Sequence, residues 1–258
     1  IMRKYFFEWF IPTVKKEYKP GDVLLHLGDV YDSRQSINLK VLNLCVEIFG
    51  ELSRIFKDGT YVIVGNHDIY SKESNEINSL ASLKWIPGIH IFEDPLTITF
   101  GKRKAFMMPW RANEEVAVDL LAETENHDYL FCHSDLNGCK MHLNSVAHRN
   151  ADKIDVDEFK KYKHVFSGHI HIRQTNENFS FIGSPYQMDR NDMGDQKGIT
   201  ILDLSSDKID FVPNTYSPIF RKFRVANEED IDKLDELKDT KDYIDLAISN
   251  NLLINNRK

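Results

Sequence analysis

Cysteine is scarce in this 258-residue chain: Cys45, Cys132 and Cys139 are all there is, with no CxxC pair and one left odd. That excludes a disulfide scaffold or a zinc ribbon and fits a reducing, cytoplasmic setting. No apolar run approaches the ~18–20 residues of a membrane span, so no membrane partner is expected. The start, Ile1-Met2-Arg3-Lys4-Tyr5-Phe6-Phe7, is aromatic and charged, unlike the smooth apolar stretch of a signal peptide. A chain that opens on Ile also suggests a fragment boundary. Positive charge is short as well, with 33 Lys and Arg against 40 Asp and Glu, a net charge of −7. A protein that grips nucleic acid needs Lys and Arg at the phosphates, so its basic surface must be local or supplied by a partner. Bound cations would offset part of the acidity. Internal repeats and low-complexity tracts are missing too.

What is present is a packed globular composition, with 41% hydrophobic residues, sixteen Phe and ten Tyr. The length suffices for one sizeable core and a small appendage. Five short apolar runs rich in β-branched and aromatic residues read as buried strands: Val23–Leu27, Tyr61–Val64, Asp128–Cys132, His164–Ser167 and Phe179–Ile182. Helices are expected over Ile37–Phe56, Asn113–Glu123 and Val156–Tyr162, and over Met2–Lys16, interrupted or kinked at Pro12. Further β-rich segments follow at Leu96–Phe100, Lys104–Met108, Gly198–Leu204 and Ile209–Val212. The expectation is an α/β fold, a two-sheet α/β/β/α sandwich. A boundary near Ser217-Pro218 would leave one domain over 1–217 and the start of a small capping domain over 218–258. There Asn227–Lys238 reads as an acidic helix followed by a polar tail.

Each of the five strands ends in a polar cluster: Gly28-Asp29-Val30-Tyr31-Asp32, Gly65-Asn66-His67-Asp68, His133-Ser134-Asp135, Gly168-His169-Ile170-His171 and Gly183-Ser184-Pro185. Ligands of α/β sheets gather at the carboxyl ends of strands, so these clusters should converge on one rim. Asp29, Asn66, His133, His169 and His171 offer oxygen and imidazole donors without a thiolate, a set suited to Mn²⁺, Fe or Zn²⁺. Asp29, a carboxylate, is the group able to bridge two cations. His169 and His171, two apart in an extended segment, can point to the same side. Asp32 and Asp68 could orient a ligand or cap a helix. Arg190 and Lys197, just past the Gly183–Gln187 loop, are candidate phosphate contacts. The histidines at 26, 90, 127, 142, 148 and 164 call for no special role, though His142 and His148 flank a polar segment that could lie near substrate. Lys102-Arg103-Lys104 reads as a solvated hairpin turn, with phosphate contact as the lesser option, and Met107-Met108-Pro109-Trp110 as core ending in a loop.

GDxxD, GNHD and GHxH in this order resemble the calcineurin-like metallophosphoesterase superfamily. Asp29–Asp32 followed by Ser33-Arg34 is similar to its SbcD-type nuclease subunits. Gly183–Gln187, Asp189–Asp192 and Lys197-Gly198 resemble the bacteriophage recombination endonuclease subunit type. The resemblance implies two divalent metal ions, Mn²⁺ first among them, with Asp29 shared, Asn66, His133 and His169 completing the second site, and His171 in the first. It implies His67 as the group that stabilises the transition state or protonates the leaving oxygen. It also implies DNA as substrate, an SbcC-type coiled-coil ABC ATPase as partner, and a homodimer. The family's opening Asp-x-His, which supplies the first metal, does not precede Asp29 here. The first site would then be incomplete and the chain as it stands weakly active. Two other readings stay open: a phosphodiesterase for a small substrate, or a non-catalytic scaffold for the ATPase.

Overall fold

A computed structural model describes residues 2–249 apart from 34, 72–73, 125–126, 146–153 and 228. In chain order come β1 (Leu24–His26), β2 (Thr60–Ile63), a hairpin of β3 (Ile69–Ser71) and β4 (Ser74–Asn78), and β5 (Ile89–Phe92). Then come β6 (Leu96–Phe100), β7 (Arg103–Met108), β8 (Tyr129–Cys132), β9 (His164–Ser167), β10 (Gln174–Asn176) and β11 (Phe179–Phe181). β1, β2 and β5 form one parallel sheet. The second sheet runs β10-β11-β9-β8-β7-β6, parallel through its four central strands and antiparallel at both edges.

Alternation along the strands builds three cores from two sheets. Ile63 faces inward with Leu27 and Phe92 to meet Ala105, Met107, Phe131 and Phe166 of the second sheet. Its neighbours Val62 and Val64 face the other way, onto Cys45 and Phe49 of the helix Leu39–Ile55. On the far side, Phe106, Leu130 and Val165 are covered by Ala117 and Leu121 of the helix Glu114–Ala122 and by Phe159. The layers are therefore helix, sheet, sheet, helix, the expected α/β/β/α sandwich. Both main helices start where an Asn side chain accepts a backbone N–H, Asn38 from Lys40 and Asn113 from Glu115, each at 2.9 Å.

Three local expectations are refined. The first helix changes form just ahead of Pro12. It widens to a π-helix over Tyr5–Phe10 and resumes as an α-helix over Ile11–Glu17, with Pro12 in that last segment's first turn. The Ile11 N–H reaches back to the Phe6 carbonyl, which absorbs locally the ring and the missing donor of the proline. Helix over Val156–Tyr162 shrinks to a 3₁₀ turn at Val156–Phe159. The supposed polar tail contains a strand. After the antiparallel pair β12 (Gly198–Asp203) and β13 (Lys208–Pro213), β14 (Phe220–Val225) runs parallel to β15 (Tyr243–Ile248), joined through the short turns Glu229–Asp232 and Asp235–Leu237.

His26, inside β1, places Nδ1 in the core without a hydrogen-bond partner among the described residues. Burial, with His133 adding to it against Asp29, lowers its pKa from 6.5 to about 4. The unfolded chain therefore binds the extra proton between those values, and stability falls as pH drops through that window. The slope from this one group is at most about 1.4 kcal/mol per pH unit. Urea unfolding of the parent and of His26→Gln across pH 7 to 4 should show a steeper loss in the parent; equal slopes would rule out His26.

Candidate metal centre

The centre is assembled from the turns that end β1, β2, β8 and β9. Two of its residues hold a left-handed backbone despite carrying a Cβ, Asp29 with φ 57° and His169 with φ 68°. Such a conformation costs of order 1–3 kcal/mol and persists only where the surroundings over-determine it. For Asp29 the surroundings are Asp68, fully buried just past β2. Its carboxylate accepts N–H bonds from Asp29 (2.8 Å), Val30 (3.0 Å), Tyr31 (3.3 Å) and Gly65 (2.9 Å), cinching the β1 turn onto the β2 turn. Burial pushes the Asp68 pKa up to about 6, against the pull of those donors. Asp29 in turn accepts the His67 N–H on Oδ1 at 2.8 Å, leaving Oδ2 for the centre.

Four lone-pair-bearing atoms then converge. His133 is fully buried, and its Nδ1 donates to the Leu27 carbonyl at 2.6 Å, so its Nε2 carries the lone pair. That Nε2 lies 2.9 Å from Asn66 Oδ1, 3.2 Å from Asp29 Oδ2 and 3.3 Å from His169 Nδ1. His169 Nδ1 is also 2.9 Å from Asn66 Oδ1, while its Nε2 is 3.3 Å from Asp135 Oδ1. Asp29, His133 and His169 are the charged-or-imidazole trio whose ligand atoms all lie within 4.8 Å of one another. A carboxylate, an amide oxygen and imidazole lone pairs aimed at one another are mutually repulsive until a cation stands among them. The donor set is hard-to-borderline, which fits a divalent first-row ion.

The turns that carry these groups approach so closely that side chains are excluded between them. A Cβ on Gly168 would lie 2.1 Å from the Leu27 carbonyl and 3.0 Å from His133 Nδ1; one on Gly28 would lie 2.4 Å from the same nitrogen. Both glycines therefore guard the hydrogen bond that orients His133.

The remaining candidates separate. Asn66, His133, His169 and Asp29 come together, whereas His171 lies outside the trio's mutual reach, its carbonyl accepting from Lys197 Nζ at 2.6 Å. His67 is half-exposed beside the centre, and its Nδ1 bonds the Asp32 carbonyl at 2.7 Å. Asp32 thus acts through its backbone, since its carboxylate is 92% exposed and 3.9 Å away. Lys197, a candidate phosphate contact, is turned inward: its side chain is 3% exposed and its ammonium is held by Asp192 and Asp195, each at 2.8 Å. Arg190 pairs with Asp245 on β15 at 2.7 Å, with 69% of its side chain still exposed. Arg103 likewise pairs with Asp128 and Asp207 at the start of β7, at the end of that strand away from His133. His148 lies outside the described residues. Sequence reasoning missed two residues that touch the ligands. Asp135 had a signal, its place in the His133-Ser134-Asp135 cluster; Trp110, which stacks on His169 at 5.1 Å between ring centres, had none beyond closing an apolar run.

This geometry agrees with the chain's similarity to known proteins. The calcineurin-like phosphoesterase family model matches residues 3–173, and the chain belongs to that family. It is also 28% identical over 193 residues to exonuclease subunit 1 of Enterobacteria phage T4, covering 74% of this chain. The match takes in 55% of that relative, so the chain spans about half the relative's length.

Two outcomes follow from the centre. Gly168→Ala should destabilise the fold by about 3 kcal/mol or more, since backbone rather than a flexible side chain blocks the new methyl group; a melting temperature equal to the parent's would refute the clash. Burial would lower the His133 pKa, but Asp29 outweighs it and holds it above the ordinary 6.5, so below that pKa a metal competes with a proton at Nε2. Calorimetric titration should therefore find one tight Mn²⁺ site whose affinity drops by up to about tenfold per pH unit below the His133 pKa. A second tight site, or affinity independent of pH between 8 and 5, would count against this ligand set.

Proposed function

We propose that this chain hydrolyses phosphodiester bonds of DNA, as the metal-dependent nuclease subunit of a recombination and double-strand-break processing assembly. The observation that carries the reading is the Asn66-His67 turn, which sets an amide oxygen in the metal centre and an imidazole at its half-exposed edge. Bound divalent cations supply Lewis-acid polarisation of the phosphoryl oxygens and a lowered pKa for the attacking water. Asp29, Asn66, His133 and His169 would hold one ion, and Asp29 with His171 would serve the other. His67, fixed through Nδ1 by the Asp32 carbonyl, keeps Nε2 for a proton to the leaving oxygen. The Asp29 carboxylate stays ionised and so remains able to bind cations. Burial raises its pKa, but the contacts with His133 and the His67 N–H outweigh that and bring it to about 2.

The name of the phage relative supports an exonuclease subunit here. A coiled-coil ABC ATPase of the SbcC type would be the partner, and the β14–β15 unit the beginning of a capping domain divided from the catalytic part near residue 217. A phosphodiesterase for a small substrate is the second reading, favoured by the lack of an unpaired cation at Arg190, Lys197 or Arg103.

The deciding measurement is Mn²⁺-dependent cleavage of linear duplex DNA, read against hydrolysis of a small phosphodiester. His67→Ala should retain Mn²⁺ binding while turnover falls about 10²–10⁴-fold, and Asp29→Ala should abolish binding itself. Hydrolysis of a small diester with DNA left intact would select the second reading, and unchanged turnover in His67→Ala would remove that residue from the mechanism.

A further inference from the structure

The imidazole of His169 has two nitrogens and could present either one. It sits on a left-handed residue at the tip of a turn, and Nδ1 is the atom that faces Asn66 and His133. Something must hold the ring against rotation. Asp135, 3.3 Å from Nε2, acts on one edge. The broad face of the ring is covered by Trp110, whose indole stacks on it with centres 5.1 Å apart and planes 27° from parallel. The same indole meets the His133 ring edge-on, at 6.1 Å and 83°.

Trp110 is itself anchored. Its backbone N–H donates to the Val64 carbonyl at 2.9 Å, and its own carbonyl accepts from Asn75 Nδ2 at 3.0 Å. Its side chain packs against the core behind the first sheet. The indole Nε1 is buried with no hydrogen-bond partner among the described residues. A buried orphan donor costs about 1–3 kcal/mol, so a tryptophan used for its polar handle would not be placed this way. The ring face is what this position uses.

We infer that Trp110 is a positioning residue for the metal centre, holding His169 by a stacked π face so that Nδ1 is presented to the cation. This rests on the metal-centre reading given above. The stacking also strengthens when a cation is bound, because ligation draws charge from the imidazole and the electron-rich indole face attracts the resulting positive ring. Bulk alone does not reproduce that effect, and this separates positioning from simple packing.

The test is Mn²⁺ calorimetry on the 258-residue chain and on Trp110→Phe, Trp110→Leu and Trp110→Ala, with thermal melts recorded in the absence of metal. Trp110→Phe keeps an aromatic face and should bind within about threefold of the parent. Trp110→Leu and Trp110→Ala should bind about 10- to 100-fold more weakly, the usual range for a residue that orients a ligand. Trp110→Leu binding like the parent, or Trp110→Phe failing as badly as Trp110→Leu, would overturn the inference. If the small variants do not fold, the double variant Trp9→Phe/Trp85→Phe leaves Trp110 as the only tryptophan of the three. Co²⁺ should then quench its emission with the midpoint found by calorimetry, and binding without quenching would sink the idea. A parent chain that binds no Mn²⁺ would instead defeat the metal-centre reading itself.

Discussion

One buried carboxylate holds this site in shape. Asp68 gathers four backbone N–H groups from two turns far apart in sequence, Asp29, Val30 and Tyr31 on one side and Gly65 on the other. Hydrogen bonds to a charged acceptor contribute about 1.5–3 kcal/mol each, so together they exceed the strain of one left-handed aspartate. Asp29 can then turn one oxygen to the His67 N–H and the other toward His133. Without the shared acceptor, the ends of β1 and β2 would be two unrelated loops. The donor chemistry of the centre depends on that tie.

Much of this was open to reading in the chain itself. The parallel strands announced themselves because strands buried on both faces, such as Tyr129–Cys132, are uninterrupted apolar runs. The polar residues that stop four of the five runs are the ones that converge. What could not be read were properties that arise from distant neighbours. Nothing local says that Gly168 must yield space to the Leu27 carbonyl, or that Trp110 will lie flat on His169. β15 was hidden because Asp245 interrupts its apolar pattern, and that aspartate is there to meet Arg190 from another segment.

Lys197 shows the limit most clearly. A lysine just past the Gly183–Gln187 loop has the look of a phosphate ligand. The two aspartates that precede it, Asp192 and Asp195, enclose its ammonium and turn it into an internal strut under the His171 carbonyl. A buried lysine needs such partners, since an uncompensated charge in the interior is strongly unfavourable. Reading Asp192, Asp195 and Lys197 as one unit would have found it; reading the lysine alone could not.

The four converging side chains come in pairs from opposite halves of the sandwich, Asp29 and Asn66 from the turns after β1 and β2, His133 and His169 from those after β8 and β9. A cation held there works as a rivet through the seam between the two sheets. Prising the sheets apart then requires releasing the ion, so the folded population is coupled to the concentration of free metal through RT ln(1 + [M]/Kd). At a hundred times Kd that coupling is worth about 2.7 kcal/mol, a sizeable share of the margin by which an ordinary domain stays folded. The lifetime of this protein inside a cell would thus track how much divalent metal the cell can spare.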